Sequence, residues 1–169
     1  MGLSDLERRS RIVVSCPGIG IALTEYKWGP DDGASGALAQ AEVLAILGRE
    51  GVDLATRWVA PEVGTRSEDA YRLFLNYDGN GSGVHGTNVQ CVSEDVDAVA
   101  AYAVHGSDDT LWILLFNKDT VARMAQVSSA GTLTGDSAAG YRFDPVTPLS
   151  AIGPVVIGEN GFDPVSYTH

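Results

Sequence analysis

Glu25 and Trp58 are the residues whose types and spacing point most directly to chemistry in this chain of 169 residues. The stretch "IGIALTEYKWGP", residues 19–30, runs through apolar residues into Glu25, with Tyr26 and Trp28 beside it. The stretch "VDLATRWV", residues 52–59, runs in the same way into Trp58. A separation of 33 residues fits one strand–helix repeat with its loops. Where parallel strands carry catalysis at their carboxyl ends, that spacing brings an acid and a flat aromatic to one rim. Such a pair suits a sugar-binding cleft, because the C–H face of a sugar stacks on a ring. Pattern alone is equally compatible with a solvated strand-end glutamate and a packing tryptophan.

Other motifs carry less. "DGNGSGVHG", from Asp78, imitates a calcium loop, with Asp78, Asn80 and Ser82 at alternating positions and glycine at the sixth. Its twelfth position is Val89, which cannot supply the bidentate carboxylate, so a glycine-rich connection is the better reading. "DGASG" lacks the Gly-Lys-Ser/Thr ending of a phosphate loop. His85, His105 and His169 are scattered, and Cys16 and Cys91 form no CxxC pair. No metal or other cofactor is expected, and the two cysteines read as free thiols rather than a disulfide.

Composition narrows the class of protein. With 44% hydrophobic residues the chain can bury a core, in one ordinary domain or two small ones. The formal net charge of −11 argues against nucleic-acid binding, which requires clustered Lys and Arg. "ERRSRIVVSCPGIGIAL" has basic residues before an apolar run, but Asp5 and Glu7 spoil the basic part and Pro17-Gly18 interrupts the apolar one. We read it as structure rather than an export signal. No stretch approaches the apolar length of a membrane span, and no membrane partner is expected.

The elements that must position Glu25 and Trp58 follow from periodicity. A helix is expected over 4–15, a turn at "CPG", and a strand at "IGIAL" that reads as covered on both faces. Leu38, Ala41, Leu44, Ile46 and Leu47 predict a helix over 35–50, stopped by Gly51. A strand at 52–59 and a helix over 67–77, with Ser67 as its cap, complete a pair of β/α units. From Thr87 the pattern changes to antiparallel strands at "NVQCVS", "AVAAYAVHG", "DTLWILLFNKD", "ARMAQVSS" and "AAGYRFDP". "LWILLFN", the most apolar, reads as central, and the tail predicts one strand more. The boundary falls at residue 86, giving units 1–86 and 87–169.

Several of these stretches together resemble a known family. "CPGIGIALTEYKWG", "SGALAQAEVLAILGREGVDLATRW" and "AYRLFLNYDGNGS" are similar to glycoside hydrolase family 44, the endoglucanases and xyloglucanases. That family has a PG turn, a strand ending in TEY with an aromatic and a glycine, a helix running into LGxxG, a strand ending in Trp and a helix ending in NYDG. The resemblance runs from about residue 5 to residue 120 and is strongest over 17–83. It implies α/β plus all-β architecture: the last two β/α units of a (β/α)8 TIM barrel, followed by an antiparallel β-sandwich domain.

The resemblance also implies roles. Glu25 matches the nucleophile of a retaining glycoside hydrolase, which attacks the anomeric carbon to form a glycosyl-enzyme that water opens. Tyr26 and Trp28 would line the cleft, and Trp58 would form the floor under the sugar being cleaved. The substrate would be a β-1,4-linked glucan or xyloglucan polysaccharide, acted on outside the cell. Retention needs a second carboxyl about 5 Å from the first. In the family it comes from an Asn-Glu pair on an earlier barrel strand, and this chain has no Asn-Glu dipeptide. The first six β/α units are therefore expected to lie outside it, and the chain alone is expected to be inactive. A different class of function is a noncatalytic carbohydrate-binding module built on the sandwich, using Tyr102, Trp112, Phe116 and Tyr141, although their apolar strands suggest core packing.

Overall fold

The computed structural model describes residues 18–158 apart from 132, 134 and 135, and the backbone of 161–167. The helix expected over 4–15, and Cys16 and Pro17 of the CPG turn, lie outside the described residues. The first described elements are β1 (Ala22–Tyr26), α1 (Ala34–Arg49), β2 (Leu54–Arg57) and α2 (Arg66–Leu75). β1 and β2 pair in parallel, with Ala22 opposite Leu54 and Leu23 opposite Ala55. A parallel pair needs a crossover, and α1 supplies it.

Helix α1 ends as its sequence directs. Gly51 takes a φ of 61°, and the amides of Gly51 and Val52 return to the carbonyls of Gly48 and Leu47 at 3.1 and 2.9 Å. Its first turn packs on the loop after β1: a Cβ on Gly36 would lie 2.6 Å from the Pro30 carbonyl oxygen and 3.1 Å from that of Trp28. Helix α2 begins earlier than expected. Thr65, not Ser67, is the cap, its Oγ1 accepting the Glu68 amide at 3.3 Å while the Glu68 carboxylate accepts the Gly64 amide at 2.6 Å. That is the Thr-x-x-Glu spacing of a capping box. Ser67 is instead buried in the first turn, its amide donating to the Asp31 carbonyl at 3.0 Å.

The remaining strands are antiparallel. β3 (Thr87–Val89), β4 (Val99–His105) and β5 (Leu111–Asn117) form one sheet with β4 in the middle. β6 (Arg123–Val127), β7 (Ser137–Arg142), β8 (Ser150–Gly158) and β9 (Gly161–Tyr167) form a second, in the order β6-β9-β8-β7. The tail thus gives two paired strands where one was expected. The two sheets share a cavity of about 350 Å³, to which Trp112, Leu114, Ala125, Val127, Ile152 and Val155 all contribute.

β5 is not the central strand that its apolar sequence suggests; it pairs with β4 alone among the described residues. Its apolarity has another cause. Leu114 and Phe116 on one face pack into the core, while Ile113 and Leu115 on the other are half-buried and border the cavity between the sheets. A continuous apolar run reports that both faces are covered, not where the strand pairs.

The core is continuous across residue 86. Ala41 and Ala45 of α1 and Ala70 of α2 share one cluster with Ala100, Tyr102, Leu114 and Phe116 of the first antiparallel sheet. Glu42 reinforces the seam, accepting from the Tyr102 hydroxyl at 3.3 Å and from Lys118 Nζ at 3.2 Å.

β1 differs from its expected environment. The strand begins at Ala22 rather than Ile19, and Ala22, Leu23, Thr24 and Glu25 are exposed, with Tyr26 alone buried. Leu54 of β2 is exposed as well. Among the described residues β1 pairs only with β2, and the helix layer receives only its last side chain.

Candidate active site at the carboxyl end of the parallel strands

Glu25 sits within the carboxyl end of β1, and Trp58 directly follows β2. Because the two strands are parallel, both residues reach the same edge of the sheet, where the Trp58 amide donates to the Tyr26 carbonyl at 2.8 Å. The pairing is irregular there. β1 advances three residues, from Leu23 to Tyr26, while β2 advances two, from Ala55 to Arg57. The extra residue makes a bulge at Thr24–Glu25. Bulges bend a strand and re-aim a side chain, and they recur beside active sites.

Both neighbours of Glu25 are held. The Thr56 hydroxyl donates to the carbonyl of Thr24. On the other side, the Tyr26 hydroxyl accepts from Gln40 Nε2 of α1 at 3.1 Å and bonds the Tyr71 hydroxyl of α2 at the same distance. Burial, and next the hydrogen bond with Tyr26, hold the Tyr71 phenol well above the usual range, so Tyr71 stays protonated. Glu25 itself is exposed at the end of this braced segment.

Tyr26 is therefore not beside Glu25 in a cleft, as expected from the sequence. It is buried, its hydroxyl bonded to Gln40 of α1 and Tyr71 of α2. Trp28 and Trp58 do present their rings to solvent, at 45% and 59% exposure. Large aromatics left open on a monomer surface mark contact sites when they lie together at one edge.

Trp58 has a support that the sequence reading missed. Arg57, whose side chain is only 4% exposed, is ion-paired with Asp31 from the loop after β1. Its Nη1 also donates to the carbonyl of Val59 at 2.6 Å. Thr56, Arg57, Asp31, Gln40 and Tyr71 were all overlooked. The one legible signal among them was Arg57, a charged residue closing an apolar strand, 26 residues from an acidic loop.

In the stretch from Asp78 the side chains bond within the loop. The Asp78 carboxylate accepts the Asn80 amide at 2.8 Å and the Ser82 amide and hydroxyl at 3.2 and 2.7 Å. These bonds, the Ser82 hydroxyl first, hold its pKa below the usual carboxylate range. Among the described residues no three His, Cys, Asp or Glu side chains come together as a metal site. Among them, too, no helix is long and apolar enough to cross a membrane. Burial pushes the free Cys91 thiol up.

The aromatics weighed for a binding module are committed to packing. Tyr102 and Phe116 are buried edge to face at 5.7 Å, and Tyr141 packs at a tilt of 53° against Tyr77, ring centres 4.8 Å apart. Trp112 Nε1 donates to the Tyr77 hydroxyl at 3.4 Å.

No family model matches the sequence. Individual proteins do. The chain is 36% identical over 135 residues to the β-mannanase/endoglucanase A of Caldicellulosiruptor saccharolyticus, covering 78% of this chain and 10% of that protein. The fold superposes on CelM2, a bifunctional glucanase-xylanase from a metagenome library, with a TM-score of 0.90 at 28% identity, over 96% of this chain and 32% of that one. A Paenibacillus polymyxa xyloglucanase of glycoside hydrolase family 44, also solved with xyloglucan, gives 0.85 at 26% identity, over 96% and 33%. The chain thus spans about a third of the length of the solved proteins it resembles and a tenth of that curated relative. Its mixture of two β/α units with antiparallel sheets is theirs in kind. The chain belongs to glycoside hydrolase family 44, and corresponds to a carboxyl-terminal portion of the family's chain.

Proposed function

We propose that this chain is part of a retaining endo-β-1,4-glucanase or xyloglucanase. Its two β/α units are the last two of a (β/α)8 barrel, and the antiparallel sheets form the accompanying sandwich. Glu25 is the nucleophile: its carboxylate attacks the anomeric carbon, the leaving oxygen takes a proton, and water then releases the sugar. Trp58 and Trp28 stack on the glucan beside it. Tyr26 acts from behind, anchoring the strand end through Gln40 and Tyr71. The proton donor is a carboxyl in the two thirds of the family's chain that these residues do not match. The polysaccharide substrate makes an extracellular site of action the natural one.

The observation that carries this reading is the exposed edge itself. A parallel pair presents Glu25 on a bulge and Trp58 on the adjoining strand end, inside a superposition on family 44 structures at TM-scores up to 0.85. The reading is tested with the purified 169-residue chain on carboxymethylcellulose and xyloglucan. No turnover above background is expected, since a retaining mechanism needs both carboxyls. Turnover that disappears in Glu25→Gln would refute the assignment of the proton donor to the unmatched part.

A further inference from the structure

We propose that Arg57 is a positioning residue for Trp58: it pins the Val59 carbonyl, holding Val59 in a left-handed conformation that fixes the tryptophan in front of it. The role given to Trp58 rests on the reading above; the clamp rests on geometry alone.

Val59 has a φ of 65°. For a β-branched residue this region is a true outlier, because Cβ crowds the backbone carbonyl. Val59 recovers little in exchange, since its side chain is 61% exposed. Something else must hold it, and Arg57 is placed to do so. Nη1 donates to the Val59 carbonyl at 2.6 Å, while Nη2 meets the Asp31 carboxylate. Asp31 is in turn fixed, its carbonyl accepting the Ser67 amide of α2 at 3.0 Å.

The arrangement is a poor investment if stability alone were at stake. A buried ion pair is often no better than well-packed apolar residues, and here Arg57 Nε is buried with no partner among the described residues. A strained backbone that persists because its surroundings over-determine it is a recurrent mark of functional sites. The residue between the pin and the strain is Trp58. Its amide is tied to Tyr26, Val59 after it is pinned by Arg57, Arg57 before it is held by Asp31, and its ring is left open to solvent. The clamp thus fixes the backbone on both sides of an exposed ring, so that less motion is lost when a ligand stacks on it.

The test uses the full chain with 5-fluorotryptophan, following the ¹⁹F line of Trp58 (assigned with Trp58→Phe) and titrating cellohexaose. Arg57→Lys keeps a charge for Asp31 but loses the second donor. It should broaden or shift the Trp58 line and weaken cellohexaose about fivefold. Asn tolerates the left-handed region, so Val59→Asn should make the pin redundant. In the Val59→Asn background, Arg57→Lys should leave the Trp58 line sharp and the affinity within about twofold of the parent. Val59→Asn alone, which keeps the ion pair, should raise the melting midpoint. The proposal is overturned if Trp58 ignores Arg57→Lys, if Val59→Asn fails to rescue it, or if Val59→Asn lowers the midpoint. Cellohexaose binding that survives Trp58→Ala would instead sink the sugar-stacking role, leaving the ¹⁹F result to decide the clamp.

Discussion

The hydroxyl of Thr56 donates to the main-chain carbonyl of Thr24, so a side chain on β2 grips β1 one residue before Glu25. The grip falls at the bulge, where ladder pairing is interrupted and the strand would otherwise be free to slide. Thr56→Val keeps the shape and removes the donor. It should cost about 1 kcal/mol of stability. The amides of Glu25 and Tyr26 should also exchange faster with solvent than those of α1. Unchanged exchange at the bulge would mean that the bond does not hold it.

Tyr26 supports Glu25 from the other side, and there the cost of deletion is greater. Tyr26→Phe leaves Gln40 Nε2 and the Tyr71 hydroxyl without their shared partner, and Gln40 is buried. Stranding such groups costs about 1–3 kcal/mol. Equilibrium unfolding in urea should show a loss in that range, larger for Tyr26→Phe than for Tyr71→Phe, which strands no amide. Equal losses would show that the amide bond contributes little.

Much of this was legible in the sequence, and the reasons for the rest are physical. The two β/α units could be read because α1 repeats its apolar residues at helical spacing and stops at Gly51, where only a left-handed residue fits. Glu25 and Trp58 could be placed at one edge because strand, helix and loop lengths fix which residues end each strand. The bulge could not be read, since no residue type at Thr24–Glu25 demands one. Nor could the direction of Tyr26. The family resemblance implies a cleft position for it, whereas its hydroxyl bonds Gln40 and Tyr71 on the two helices. The cap of α2 was misplaced by two residues because Thr65 and Ser67 are both good caps, and only Thr65 has the glutamate three positions on. β5 was read as central because two-sided covering and central pairing leave the same apolar signature.

Acid should act on the antiparallel half through Asp144. Burial pulls its pKa upward, but bonds from the Thr147 and Val146 amides, at 2.7 and 2.9 Å, outweigh this and leave it below the usual carboxylate value. The folded pKa is the depressed one, so the unfolded chain takes up the proton first as pH falls. The stabilisation is fully present above about pH 4 and is lost as pH falls further, through the folded value. Asp144→Asn should lower the melting midpoint at pH 7 and flatten its decline below about pH 4. A variant whose midpoint declines as steeply as the parent's would place the acid sensitivity elsewhere.

The central claim, that Glu25 is the nucleophile of a family 44 site, is tested most directly by grafting. Residues 18–86 of this chain would replace the corresponding segment of a complete family 44 endoglucanase, and release of reducing sugar from xyloglucan and carboxymethylcellulose would be measured. The account predicts hydrolysis by the chimera, falling to background in Glu25→Gln while the melting midpoint stays within a few degrees. Hydrolysis that persists in the Glu25→Gln chimera would contradict it.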